Sequence, residues 1–151
     1  MQLTVFTDFG LRSLMFLASR PQSQSSVREI AEHYGISRNH LVKVVHRLAQ
    51  LGYITSSKGR GGGIRLAHDP VLLRIGDIVQ KLEPHMQVVE CFDAVSNTCK
   101  ITATCELKHI LHEGREAFVG ALNKYTLADA SKGRQPFLFE PSASAASPET
   151  F

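Results

Sequence analysis

The sequence predicts a mainly α fold: a winged helix-turn-helix with a two-stranded wing, plus a long C-terminal dimerisation helix. Three observations predict it. Two short amphipathic stretches meet at a glycine turn between residues 26 and 52, a glycine-rich hairpin sequence follows directly, and an apolar heptad runs from residue 107 to 125. At 151 residues and 43% hydrophobic, the chain has material for one domain with an extension. The expected division is 1–83 for the winged helix-turn-helix, 84–106 for a cysteine-bearing loop, 107–130 for the dimerisation helix and 131–151 for a flexible tail rich in Ser, Ala and Pro.

The first helix is expected over 7–20, where Leu11, Leu14, Met15 and Ala18 recur at helical spacing, with Thr7 as cap and Pro21 as stop. Ser26 opens the second with Glu29 three residues on, a capping box, and Gly35 ends it. Ser37 should cap the third, whose apolar stripe is Leu41, Val44, Val45 and Leu48 and whose terminator is Gly52. Projected at helical pitch, Asn39, Lys43, His46, Arg47 and Gln50 fall on the opposite face. The second helix of a helix-turn-helix lies in the major groove with its N-terminal residues at the base edges. That geometry selects Ser37, Arg38, Asn39, His40, Lys43, His46 and Arg47 as DNA-facing.

Residues 53–56 and 64–67 are strand candidates around a Lys58-Gly59-Arg60-Gly61-Gly62-Gly63 turn. A hairpin after a recognition helix is a wing, and Lys58 and Arg60 at its tip suit phosphate or the minor groove. The spacing lacks both nucleotide-binding glycine fingerprints. Charge agrees: residues 1–66 hold nine Lys/Arg against three acids, the rest eight against eleven. A basic front half is the footprint of a nucleic-acid surface. Residues 74–83 then form a short helix through Ile75, Ile78, Val79 and Leu82, stopped by Pro84.

Cys91, Cys99 and Cys105 are all the cysteines of the chain, set in a polar stretch where packing does not explain them. An odd count without a visible leader argues against a disulfide framework, and the close pairs of structural zinc sites are absent. An iron–sulfur cluster, a redox thiol set and inert cysteines remain open. Beyond them, Leu107, Leu111, Gly114, Phe118, Ala121 and Tyr125 repeat in steps of four and three, widened by Ile110 and Leu122. On a helix following a DNA-binding unit, such a seam suits a two-fold dimer. No run reaches membrane-spanning length, so a cytoplasmic protein without a membrane partner is expected. No nucleophile–base set stands out, and His33, His40 and His68 are isolated, so no enzyme is expected.

The segments "MQLTVFTDFGLRSL", "YGISRNHLVKVVHRL", "GRGGGIRLA", "RIGDIVQKLEP" and "NKYTLADA", with the three cysteines, closely resemble the Rrf-two-type winged-helix family and, within it, its nitric-oxide-sensitive iron–sulfur repressors. The resemblance covers residue 1 to about residue 130. It implies a homodimer on double-stranded operator DNA, with one iron–sulfur cluster (2Fe-2S or 4Fe-4S) per subunit and nitric oxide as signal. Genes of nitrosative-stress defence would be released on nitrosylation. By the same resemblance Cys91, Cys99 and Cys105 become cluster ligands, and Asp8 of the partner subunit the fourth. His109 stands one residue farther from Cys105 than the histidine used by an iron–sulfur member of the family; Glu90, Asp93, Glu106 and His112 are other nearby donors. The alternative is a redox-thiol, zinc or iron–sulfur regulator of the same fold answering another signal.

Overall fold

The structure is a computed structural model and describes residues 2–59 and 61–132. Arg60 lies outside the described residues, as does all but the first two residues of the expected 131–151 tail.

Helix α1 spans Val5–Ala18, starting two residues before the expected point. Its cap is Thr4, whose Oγ1 accepts the Thr7 N–H at 3.2 Å. Thr7 is instead wholly buried, and its hydroxyl donates to Glu83 Oε2 at 2.8 Å. The same oxygen accepts the Thr4 N–H at 2.9 Å and the Thr4 hydroxyl at 3.1 Å. Either threonine could cap by local rules, and a carboxylate 76 residues away decides between them. The core face of α1 is wider than the expected stripe: Phe16 and Leu17 join Leu14, while Leu11, Met15 and Ala18 sit at its margin.

Helices α2 (Val27–Tyr34) and α3 (Arg38–Gln50) follow as expected. The Ser26–Glu29 capping box is formed, and its backbone hydrogen bond from Ser26 holds the Glu29 carboxyl below its ordinary range. Gly35 has φ +64°, and Ile36 N–H reaches back to Ala31 O at 2.9 Å. Gly52, at φ +76°, ends α3 in the same way, with Tyr53 N–H on Leu48 O at 3.0 Å. Both are left-handed caps that a side chain would strain, and Ile36 and Tyr53 are the buried residues that lock them. Leu41, Val44, Val45 and Leu48 are all buried, so the α3 stripe faces α1 and α2.

Strands β1 (Ile54–Ser56) and β2 (Ile64–Leu66) pair antiparallel with Ile54 opposite Leu66. The loop before α2 adds a third edge, Ser25 exchanging both backbone hydrogen bonds with Ile64 at 2.9 and 2.8 Å. A single-turn 3-10 helix, Pro70–Leu72, capped by Asp69, leads to α4 (Ile75–Leu82). Ile78, Val79 and Leu82 are buried against the domain.

The cysteine segment is a loop, as expected, with single 3-10 turns at Glu90–Phe92 and Thr102–Thr104. The single helix expected over 107–130 is two helices: α5 (Glu106–Leu122) and α6 (Leu127–Ser131). The break has a long-range cause. Leu127 N–H donates to Leu73 O at 2.7 Å and Ile75 N–H to Tyr125 O at 3.1 Å, which pulls residues 125–127 out of helical pairing. Thr126 then restarts the helix in a capping box with Asp129. Leu127 is fully buried in the core shared with α1, so α6 packs on the winged domain rather than extending α5. Among the described residues no helix is long and apolar enough to cross a membrane.

Candidate nucleic-acid interface and cysteine loop

The candidate recognition face is α3. Ser37, Arg38, Asn39, His40, Lys43, His46 and Arg47 are all exposed, because the residues between them supply the buried stripe. Ser37 holds the N-cap position, but its hydroxyl accepts none of the helix N–H groups, which corrects the expected side-chain cap. The first turn of α3 also contains no acid. An uncapped N-terminus leaves backbone donors and the positive end of the helix dipole available to an anion. Among the described residues Arg38, Lys43, Arg47 and Lys58 form no ion pair, whereas Arg12 and Arg28 on other faces are engaged by Asp8 and Glu32.

The wing is braced from behind. Ser57 Oγ donates to Gln24 Oε1 at 2.6 Å, and the Ser25–Ile64 bridge ties the hairpin to the loop that feeds α2. Sequence reasoning missed this brace, since nothing in "PQSQSS" marks a strand. A Cβ on Gly63 would stand 2.8 Å from Ser25 O, so the close approach needs glycine there.

Cys91, Cys99 and Cys105 are free and partly exposed. Their loop is held chiefly by its own short polar contacts. Asp93 accepts from Val95 N–H at 3.0 Å and Ser96 Oγ at 2.6 Å, and the Ser96 bond is the main cause of its depressed carboxyl pKa. Asn97 Oδ1 accepts the Cys99 N–H at 3.0 Å, and Thr102 Oγ1 donates to Cys99 O at 2.8 Å. Cys105 is the N-cap residue of α5.

Among the described residues no three His, Cys, Asp or Glu side chains come together to hold a metal ion. The loop as it stands therefore does not gather the three thiols, and Asp8 and His109 do not join them within one chain. Asp8 sits in the first turn of α1, where the Arg12 guanidinium grips both carboxylate oxygens at 3.0 and 2.9 Å. The donor set nevertheless fits an iron–sulfur cluster in kind. Three unpaired thiols lie on one stretch of fifteen residues, and drawing them together would disturb mostly hydrogen bonds internal to that stretch.

Beside Cys91 is a cavity of about 380 Å3, lined also by Phe92, Asn97, Thr102, Lys108, His112 and Arg115. Arg115 lies 5.2 Å from the Phe92 ring centroid, and its guanidinium is 3.0 Å from His112 Nε2. Sequence reasoning missed this group, although 108, 112 and 115 share a helical face and the spacing was there to be read.

On the expected dimer seam, Leu107 and Ile110 are 59% and 62% exposed, Leu111 and Phe118 are half-buried, and Ala121 is exposed. Tyr125, expected to end the seam, lies beyond α5 in the turn that pairs with Ile75, so the seam stops at Ala121. Val119 is the α5 residue buried against the domain.

A winged helix-turn-helix with an unpaired basic recognition face, a cysteine loop and a trailing helix defines a transcriptional regulator rather than an enzyme. Residues 3–133 match the Rrf2 family, described as an iron-dependent transcriptional regulator, and the chain belongs to that family. It is 50% identical over 139 residues to the HTH-type transcriptional regulator NsrR of Bacillus subtilis (strain 168), spanning 91% of this chain and 95% of that protein. The protein of the same name from Shouchella clausii (strain KSM-K16) is 47% identical over 130 residues, 85% of this chain and 87% of that one. Among solved structures, CymR (YrzC), the global cysteine regulator of B. subtilis, superposes with a TM-score of 0.71 at 24% identity, covering 89% of this chain and 99% of that one. IscR of T. potens gives 0.67 at 24%, covering 86% and 85%. At that identity the two structures establish the fold alone.

Proposed function

We propose that this chain is a homodimeric repressor that grips operator DNA with α3 and the wing while its cysteine loop holds an iron–sulfur cluster, and that nitric oxide releases it. The carrying observation is the set of three free thiols on one self-contained loop, placed between the winged domain and α5, in a chain half identical to NsrR. Lys43, His46 and Arg47 face outward for the groove, with Ser37, Arg38, Asn39 and His40 at the leading end of α3. Lys58 on the wing meets the flanking backbone, and Arg60, two residues on in the sequence, is proposed for the same contact.

Cys91, Cys99 and Cys105 would hold the cluster, with Asp8 of the partner subunit as fourth ligand. When bound, the cluster supplies iron with one non-thiolate position that nitric oxide can enter. The chain's own residues do the rest. Leu107, Ile110, Leu111, Phe118 and Ala121 carry the α5 seam against a second copy, and that pairing brings α1 of one subunit to the cysteine loop of the other. Release of the loop then disturbs the α1 start, which Glu83 ties to the end of α4. For cluster loss to matter, the loaded form must bind operator better than the empty form.

The test is an iron and sulfide assay with visible absorption of anaerobically purified protein, before and after nitric oxide, alongside operator affinity of loaded and empty protein. Bleaching of the cluster with loss of affinity is expected; equal affinity of the two forms would sink the mechanism. A second reading, a thiol-based regulator of the same fold, is favoured by the partly exposed and ungathered state of the three thiols. Iron-free protein whose operator affinity tracks thiol oxidation would select it.

A further inference from the structure

We propose that Lys108 and Arg115, with His112 between them, are the counter-charge of the cluster: a cationic wall that stabilises the loaded loop and sets its reduction potential. The inference rests on the cluster reading above. The three residues lie at i, i+4 and i+7 of α5 and line one side of the cavity whose other side is Cys91, Phe92, Asn97 and Thr102. Among the described residues no carboxylate lines that cavity.

Lys108 is partly buried and forms no ion pair among the described residues, so its charge is uncommitted. Arg115 is fixed on three sides. It stacks over Phe92, the neighbour of Cys91, it donates to His112 Nε2, and Glu116 holds its outer edge at 2.8 Å. His112 and Glu116 hold the planar guanidinium on α5, and Phe92 sets it beside the first cysteine.

Charge arithmetic gives the wall its role. Either common core carries about +2 when oxidised, and three thiolates with one carboxylate bring the whole to about −2. One-electron reduction takes it to about −3 with no bond made or broken, the electron coming from dithionite in the test below. Net charge and nearby charges are among the factors that set such potentials, and fixed cations favour the more negative form. The uncommitted charge of Lys108, with the guanidinium of Arg115 that Glu116 only partly offsets, therefore raises the potential and holds the loaded loop.

The experiment uses anaerobically reconstituted full-length protein, titrated with dithionite and mediator dyes while visible absorbance reports the cluster. Lys108→Gln and Arg115→Gln should each move the midpoint to a more negative value. The double variant should move it further, and Lys108→Arg should restore the wild-type value. The shift should shrink as salt rises, because the groups are partly exposed. A double variant that folds with unchanged helix content yet loses its cluster, while Lys108→Arg keeps it, also supports the wall. A fully loaded double variant with an unmoved midpoint overturns the proposal and leaves the cluster reading standing. Wild-type protein that takes up neither iron nor sulfide overturns both. Should the double variant misfold, Lys108→Gln alone decides, since that residue has no ion pair to lose.

Discussion

Glu83 shows how one residue can set where a helix begins. Its Oε2 takes three hydrogen bonds from Thr4 and Thr7, two of them from the Thr4 cap itself. Glu83→Ala would leave the buried Thr7 hydroxyl without its acceptor, and a loss of about 2 kcal/mol is expected in urea unfolding, against a smaller loss for Glu83→Gln. Asp129 does a similar job at α6. Its carboxyl is held well below the ordinary carboxylate range, first by Lys132 and then by the Thr126 backbone. A carboxyl with a depressed folded value contributes stability that is present above its unfolded value, about 4, and lost as pH falls toward the folded one. The Leu127 methyl signals in an NMR titration should therefore begin to move only below that point, and Asp129→Ala should show the loosened signals at neutral pH. The capping box at Thr126 was written in the sequence as "TLAD". The role of Glu83 was not, because an acceptor 76 residues away leaves no local mark.

At the level of elements, α3 was the most legible. Its stripe, its glycine terminators and its wet face all follow from spacing, and the structure buries Leu41, Val44, Val45 and Leu48 as that spacing requires. Lys43→Gln should change the preferred operator sequence and lower the slope of log affinity against log salt by about 1, read by fluorescence anisotropy on single-base operator variants at several salt concentrations. An unchanged slope would remove Lys43 from the phosphate or groove contacts. Helix α5 was half legible. The heptad runs on through Tyr125, so periodicity alone carried the helix past its end; the Leu73–Leu127 and Ile75–Tyr125 hydrogen bonds that stop it join segments about fifty residues apart. The exposed Leu107 and Ile110 and the half-buried Leu111 and Phe118 set the next expectation. Leu111→Lys should place a charge in the apolar seam and give monomer in sedimentation velocity, with operator binding lost. A variant that sediments as wild type would assign the stripe to another role.

Across the whole molecule, the fold follows from the sequence, whereas the fourth ligand we propose would take its geometry from two chains. Within one chain Asp8 is satisfied by Arg12, far in function from the cysteines, and no local rule would pair them. Mixing decides the matter. In a heterodimer of Asp8→Ala and Cys99→Ala subunits, ligation across the dimer leaves one site with all four ligands and the other without two. One wild-type-like cluster per dimer is then expected by absorption and iron content. Ligation within a subunit would leave no complete site, and the wild-type spectrum would be missing.

Among the described residues, the contacts that fasten helix α5 to the winged domain gather at its C-terminal end. Its C-terminal end is pinned by Val119, by the paired Asn123 and Asp77 side chains and by the strand-like bridge of Arg74 with Thr126. Its N-terminal end is Cys105. Seventeen residues make a rod of about 25 Å. Such a rod is a lever with its fulcrum at 123–126, and a tilt of a few degrees at the pinned end sweeps the cysteine end through about 2 Å. The mechanical advantage also runs the other way: a small contraction of the cysteine loop exerts its torque at the point where α4, α5 and α6 meet, next to the core that holds α3 in place.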